Sequence, residues 1–252
     1  MYGKELRLRR IFPPDRKGLF AVPLDHSVSM GPIDGLEATR PVAEALQRGG
    51  ADLLIVTKGA VRDVVPVLNG RTLLGVHVSA STSLSPAPDA KVLVGTASEA
   101  VALGADLLSV QVNFGTVGES EMLRDLGTAV DQCRQLGLPL LCMAYVKRPG
   151  PVPAEELRHA ARAAADLGAD IVKTSYPGST AEMARLAAST PVPVLLGGGL
   201  RQTDEAGFLD QVRDALRGGA AGLCAGRNLF QRGDLEGAAT RVARLVHGGA
   251  PA

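Results

Sequence analysis

Tryptophan is absent from this sequence, and all aromatic residues together make up only 3% of it. With so few ring faces, a platform that stacks the bases of single-stranded nucleic acid is not expected. An excess of charge is missing too: 27 Lys and Arg against 26 Asp and Glu leave a net charge of +1. That surplus offers no basic field for nucleic acid or an anionic membrane surface. No apolar run reaches the ~20 residues needed to span a bilayer. The opening MYGKELRLRR is charged and has no signal-peptide core. Cysteine is scarce: Cys133, Cys142 and Cys224 have neither zinc-site nor disulfide-framework spacing. They read as reduced, mostly buried thiols of a cytoplasmic protein. Four histidines lie scattered at 26, 77, 159 and 247, so no metal is expected, nor any other cofactor.

What the sequence does have is repetition. Hydrophobic residues are 46% of 252, enough for a sizeable core. Gly50-Ala51-Asp52, Gly104-Ala105-Asp106 and Gly168-Ala169-Asp170 each end a helical pattern and precede an apolar run. Gly219-Ala220-Ala221 is a fourth, altered copy. The glycine suits the left-handed position after a helix, and the strand follows at once. Eight strand candidates result, at 20–24, 53–57, 73–78, 107–112, 138–144, 171–174, 192–196 and 222–225. Residues 92–94 are an extra extended piece in the third loop. Strands alternating with helices predict an α/β fold, a single (β/α)8 TIM barrel over residues 1–252. The segment before the first strand carries Leu6, Leu8, Ile11 and Phe12, expected to close the barrel bottom. An open doubly wound sheet is the alternative, but the first strand is followed by no G-x-G-x-x-G.

In a barrel the reacting groups gather where strands end. Lys173 stands there, in ADIVKTSYPG, at the end of an apolar strand. Burial lowers an amine's pKa, and a neutral amine attacks a ketone to form a Schiff base. A lysine that snorkels to solvent is the equal alternative. Tyr145 leaves strand five and is read as a proton shuttle or as a ring filling the mouth. Asp25 leaves strand one, as a proton relay or a turn former. Gly197, Gly198 and Gly226 free the backbone beside Arg227 at the last two exits, the customary phosphate seat of this fold. His26 reads first as a packed loop residue and second as a substrate contact. Lys58 is a rival lysine able to meet a phosphate or a carboxylate. Lys147 reads as a solvated loop residue, and His77 as part of the barrel interior.

The segments VPLDHSVSMGPIDGL, VHVSASTSL, GADLLSVQVNFG, ADIVKTSYPG, LLGGG and AGRNLF, in this order, resemble the archaeal-type class I aldolases. The resemblance runs from residue 3 to residue 230. It implies a TIM barrel, Schiff-base chemistry on Lys173, proton transfer by Tyr145, Asp25 from the first strand, and phosphate held by Gly197, Gly198, Gly226 and Arg227. It implies a phosphorylated ketone and an aldehyde as substrates, and a homo-oligomer of five or ten chains. The expected reaction joins dihydroxyacetone phosphate to L-aspartate 4-semialdehyde. Alternatives are transfer of a fragment from a deoxyketohexose phosphate, then fructose-bisphosphate cleavage, then a sugar-phosphate-binding barrel without catalysis.

Overall fold

Eight parallel strands close into a barrel in this computed structural model, which describes residues 2–248. The strands in chain order are β1 (Leu19–Pro23), β2 (Leu53–Thr57), β3 (Leu73–His77), β4 (Ser79–Ala80), β5 (Val92–Leu93), β6 (Leu107–Phe114), β7 (Leu140–Val146), β8 (Ile171–Thr174), β9 (Val194–Gly197) and β10 (Gly222–Cys224). The short β4 and β5 pair with each other, antiparallel, outside the barrel. The other eight follow one another around the ring, and β10 returns to β1. Helices α1 (Tyr2–Ile11), α2 (His26–Met30), α3 (Thr39–Arg48) and α4 (Val61–Val64) come first. Then come α5 (Ala97–Ala102), α6 (Glu119–Leu136), α7 (Ala154–Asp166), α8 (Thr180–Ser189), α9 (Glu205–Arg217), α10 (Arg227–Phe230) and α11 (Leu235–Val246). Among the described residues no helix is long and apolar enough to cross a membrane.

Two apolar layers follow from the two faces of each strand. Ile171, Leu195, Leu141, Leu53 and Cys224 fill the barrel, while Val172, Val194, Cys142 and Leu54 face the helices. The strand edges expected from sequence shift by up to two residues. β6 and β7 run further than their apolar stretches, through Phe114 and Val146, because polar Asn113 and Tyr145 still pair across the ladder.

The repeated Gly-Ala-Asp has a physical cause. Gly50, Gly104 and Gly168 all take positive φ (94°, 86° and 106°), as the turn from helix to strand requires. Each aspartate then accepts a backbone N–H from a strand start: Asp52 from Phe20 at 2.8 Å, Asp106 from Leu74 at 3.1 Å, Asp170 from Leu140 at 2.9 Å. These carboxylates are also where the N-terminal segment docks. Lys4 pairs with Asp170 at 2.9 Å, Arg10 with Asp106 at 3.0 Å, and Arg16 with Asp52. Ile11 plugs the interior at 1% exposure, and Leu8 and Phe12 pack beside it. Burying one such side chain contributes ~2 kcal/mol. Leu6 does not share this role: it is 60% exposed, because it lies on the opposite face of α1.

Candidate active site

The strand ends opposite α1 surround a cavity of ≈530 Å³. Lys173 enters it from β8. Its register partner on β7 is Met143, whose sulfur lies 3.8 Å from the Lys173 Nζ. Tyr145 is two residues further along β7, on the same face, and its ring centroid is 5.7 Å from that amine. The phenol thus stands one pleat above the amine, inside the strand rather than beyond its end. Alternation explains the arrangement: Ile171 and Lys173 face inward while Val172 joins the helix layer. Lys173 is 5% exposed, so it does not snorkel to solvent.

The electrostatics of Lys173 differ from the sequence expectation. Burial pulls its pKa down, but Cys224, Tyr145 and Asp25 pull it up, and the balance lies above the ordinary lysine range. Burial alone was the basis for expecting a depressed pKa; the three neighbours, Cys224 first, then Tyr145 and Asp25, are what reverse the direction. Cys224 itself has a thiol pushed up by burial, which leaves Asp25 as the negatively charged neighbour at neutral pH.

Asp25 follows β1 and lines the cavity. It precedes α2 but makes no capping bond with its side chain. Burial would raise its pKa; His77, His26 and Lys173 outweigh that, and the carboxyl is held below its usual range. His77 reaches Asp25 Oδ2 through Nε2 at 3.5 Å, and its Nδ1 lies 3.0 Å from Ser109 Oγ. His26 sits on the other side, with Nδ1 3.6 Å from Asp25 Oδ1 and its ring edge-on to Phe230 at 5.2 Å. Burial pushes the His26 pKa down to about 4. Its Nδ1 is buried without a hydrogen-bond partner. Among the described residues no three His, Cys, Asp or Glu side chains gather as a metal site.

The other end of the cavity is made by the exits of β9 and β10. Gly198, Gly199, Gly226 and Arg227 line it. A Cβ on Gly198 would come within 2.5 Å of Ala225 Cβ, and one on Gly226 within 2.7 Å of His26 Cε1 and 2.8 Å of Pro23 O. A side chain at Gly198 would force the exits of β9 and β10 apart, and one at Gly226 would push the exit of β10 away from that of β1. Asn228, 1% exposed, ties them together. Its Nδ2 donates to Gly198 O at 2.8 Å and Leu200 O at 2.9 Å, and its Oδ1 accepts from Gln202 N at 2.8 Å. Arg227 Nε is buried with no partner, a cationic donor available to an anion.

Two candidate residues fall outside this arrangement. Gly197 does not line the cavity; a Cβ there would lie 2.9 Å from Thr174 O, so its role is to let β9 approach β8. Lys58 is 42% exposed, pairs with Glu99 at 3.1 Å, and lines a separate surface depression with Arg62 and Leu103. The 3₁₀ turn Lys58–Ala60 directs the chain outward after β2. Conversely, the cavity includes residues that sequence reasoning left aside: His77, Cys224, Lys91 and Lys147. Lys147 is an exposed loop residue, as expected, and it pairs with Asp89 at 3.0 Å at the rim of the cavity. His77 alternates correctly for an inward position, and that was its one signal in sequence.

Known proteins resemble this chain in sequence and in fold. The DeoC/LacD family aldolase profile matches residues 19–232. A 2-amino-4,5-dihydroxy-6-oxo-7-(phosphonooxy)heptanoate synthase of Streptomyces griseus is 42% identical over 249 residues, 98% of this chain and 91% of that protein. A 2-amino-3,7-dideoxy-D-threo-hept-6-ulosonate synthase of Halobacterium salinarum is 36% identical over 97% of this chain and 92% of its own length. An archaeal fructose-1,6-bisphosphate aldolase, solved with its catalytic lysine covalently bound to the carbinolamine intermediate, superposes with a TM-score of 0.89. It is 27% identical and covers 98% of this chain and all of its own. Barrel, lysine-bearing cavity and sequence similarity over nearly the whole length agree: this chain belongs to the DeoC/LacD family of aldolases.

Proposed function

We propose that the chain is a Schiff-base aldolase joining dihydroxyacetone phosphate to L-aspartate 4-semialdehyde, with Lys173 as the nucleophile. The observation that carries this reading is one cavity holding both a buried amine and an unpartnered arginine donor. The 42% identity to the heptanoate synthase supports these two substrates.

In this reading Arg227 and the N–H groups near Gly198 and Gly226 hold the phosphate, which orients the ketone toward Lys173. Only the unprotonated amine has the free electron pair for attack. The neutral amine adds to the ketone carbon, and expulsion of water gives an iminium. A proton leaves the adjacent hydroxymethyl carbon, taken by Tyr145 or Asp25, and the iminium becomes an enamine. The enamine carbon bonds to the aldehyde carbon, whose oxygen takes up a proton. Water then hydrolyses the new iminium and frees Lys173. The product is 2-amino-4,5-dihydroxy-6-oxo-7-(phosphonooxy)heptanoate. A homo-oligomer is part of the same proposal; sedimentation of the intact protein reads it.

Borohydride reduction in the presence of dihydroxyacetone phosphate tests the reading. A mass increase on the peptide containing Lys173 is expected, and none in Lys173→Met. Turnover by Lys173→Met at the wild-type rate refutes the assignment. A donor comparison with the semialdehyde held constant separates this reaction from transfer out of a deoxyketohexose phosphate.

A further inference from the structure

A further cation in the cavity has no use in the chemistry above. Lys91 is 7% exposed and lines the same space as Lys173. Its Nζ donates to Ser29 Oγ at 3.0 Å and to Ser81 Oγ at 3.1 Å. Ser81 Oγ in turn donates to Pro88 O at 2.6 Å. An ammonium has three N–H groups, so one remains. The carboxylate nearest in sequence, Asp89, is taken by Lys147 at 3.0 Å. Among the described residues Lys91 forms no ion pair, although a buried charge is costly without one.

The chain builds this position deliberately. The paired strands β4 and β5 match Ser79 with Leu93 and Ala80 with Val92, so the next step of that register sets Ser81 opposite Lys91. Asn113, from the end of β6, donates to Asp89 O at 2.7 Å and anchors the loop. Ser29 comes from α2, whose backbone carbonyl at the same residue accepts from Ser83 N at 2.9 Å. Three segments therefore converge to hold one ammonium. Around the ring, β3 lies opposite β9, and β6 opposite β10. Lys91 comes from the chain between β3 and β6, so it stands across the ring from the exits of β9 and β10, which carry the glycine loops and Arg227, and Lys173 lines the same cavity from β8.

We propose that Lys91, with the Ser29 and Ser81 hydroxyls, seats the carboxylate of the acceptor aldehyde. The inference rests on the aldolase reading and deepens it: the donor's phosphate lies at the Arg227 end and the acceptor's anion at the Lys91 end. An acceptor bound this way presents its aldehyde carbon toward the middle of the cavity, where the enamine forms. The cavity selects acid aldehydes over neutral ones.

The test compares wild type with Lys91→Met in three measurements. Borohydride trapping of dihydroxyacetone phosphate reads the donor half. The other two are kcat/KM with L-aspartate 4-semialdehyde and with butanal, a neutral aldehyde of equal chain length. Loss of a buried charge-assisted contact predicts a fall of about 100-fold for the semialdehyde. Trapping is expected to persist, and the butanal value to change less than ~3-fold, since neither uses that contact. An equal fall with both aldehydes, or none with the semialdehyde, overturns the proposal. A wild-type preference for a phosphorylated aldehyde over the acid also overturns it. Where Lys91→Met loses trapping through misfolding, Ser29→Ala reads the same ratio. A smaller fall confined to the semialdehyde supports the seat, and an unchanged ratio refutes it. Should wild type form no adduct, the aldolase reading fails on its own. Calorimetric titration with L-homoserine then reads the seat alone: tenfold weaker binding to Lys91→Met supports it, and equal binding refutes it.

Discussion

Replacing Asn228 by Ala removes the clasp between the two loops that carry the glycines. The side chain makes three hydrogen bonds, to Gly198 O, Leu200 O and Gln202 N, at 2.8–2.9 Å. Each contributes ~1 kcal/mol net, and more where the partner is left buried and unpaired. The expected loss is therefore about 3 kcal/mol of folding stability, which for a chain of this size lowers Tm by roughly 6–12 °C. A functional effect accompanies it. The loop after β9 also receives Arg232, whose Nη2 donates to Gln202 O at 3.2 Å, so it is loosened rather than released. The dihydroxyacetone phosphate KM should rise about tenfold, the equivalent of ~1.4 kcal/mol of lost positioning. Thermal unfolding measures the first effect and donor-dependent kinetics the second. A Tm within 2 °C of wild type (about 1 kcal/mol or less), together with an unchanged donor KM, refutes the clasp.

Two further outcomes follow from the site and the barrel floor. Folded His26 resists protonation until about pH 4, while an unfolded histidine takes a proton near its ordinary value of 6.5. Below that value the unfolded chain binds the extra proton. Stability should be level above pH 6.5 and fall as pH drops toward 4, by about 3 kcal/mol from this residue. Urea midpoints across that window should flatten in His26→Gln, and an unchanged slope excludes His26 as the cause. At the barrel floor, Asp170→Ala strands both Lys4 and the Leu140 N–H. It should cost ~2 kcal/mol in urea unfolding, whereas Asp131→Ala, at an exposed pair on α6, should cost less than ~0.5. Equal costs would show that α1 is not held by this contact.

Strand exits are a linear property, and much could be read from them. Each copy of Gly-Ala-Asp marks where a helix stops and a strand starts, because one residue must turn left-handed and one must accept a strand amide. Lys173 and Asp25 stand out because a charged residue interrupts or ends an apolar run, and Arg227 because glycine precedes it. Lys58 shares that pattern but lies on a turn leading outward, and the apolar run before it carries no sign of that turn. Leu6 and Ile11 are equally apolar in the sequence; only the docking angle of α1, held by its two acid–base pairs, Lys4–Asp170 and Arg10–Asp106, decides which is buried.

The sequence by itself determined the barrel class, the alternation that points Lys173 inward, and the segment that carries the arginine and the glycines. These depend on residues near one another in the chain. The tertiary structure alone decided that Cys224, Tyr145 and Asp25 surround the Lys173 amine and pull its pKa up against burial, that His77 and His26 flank one carboxylate, and that Lys91 shares their cavity. Those results depend on which strands become neighbours when the ring closes and on how the β4–β5 ribbon folds back. Charge and desolvation act through space, at distances that residue numbers do not contain.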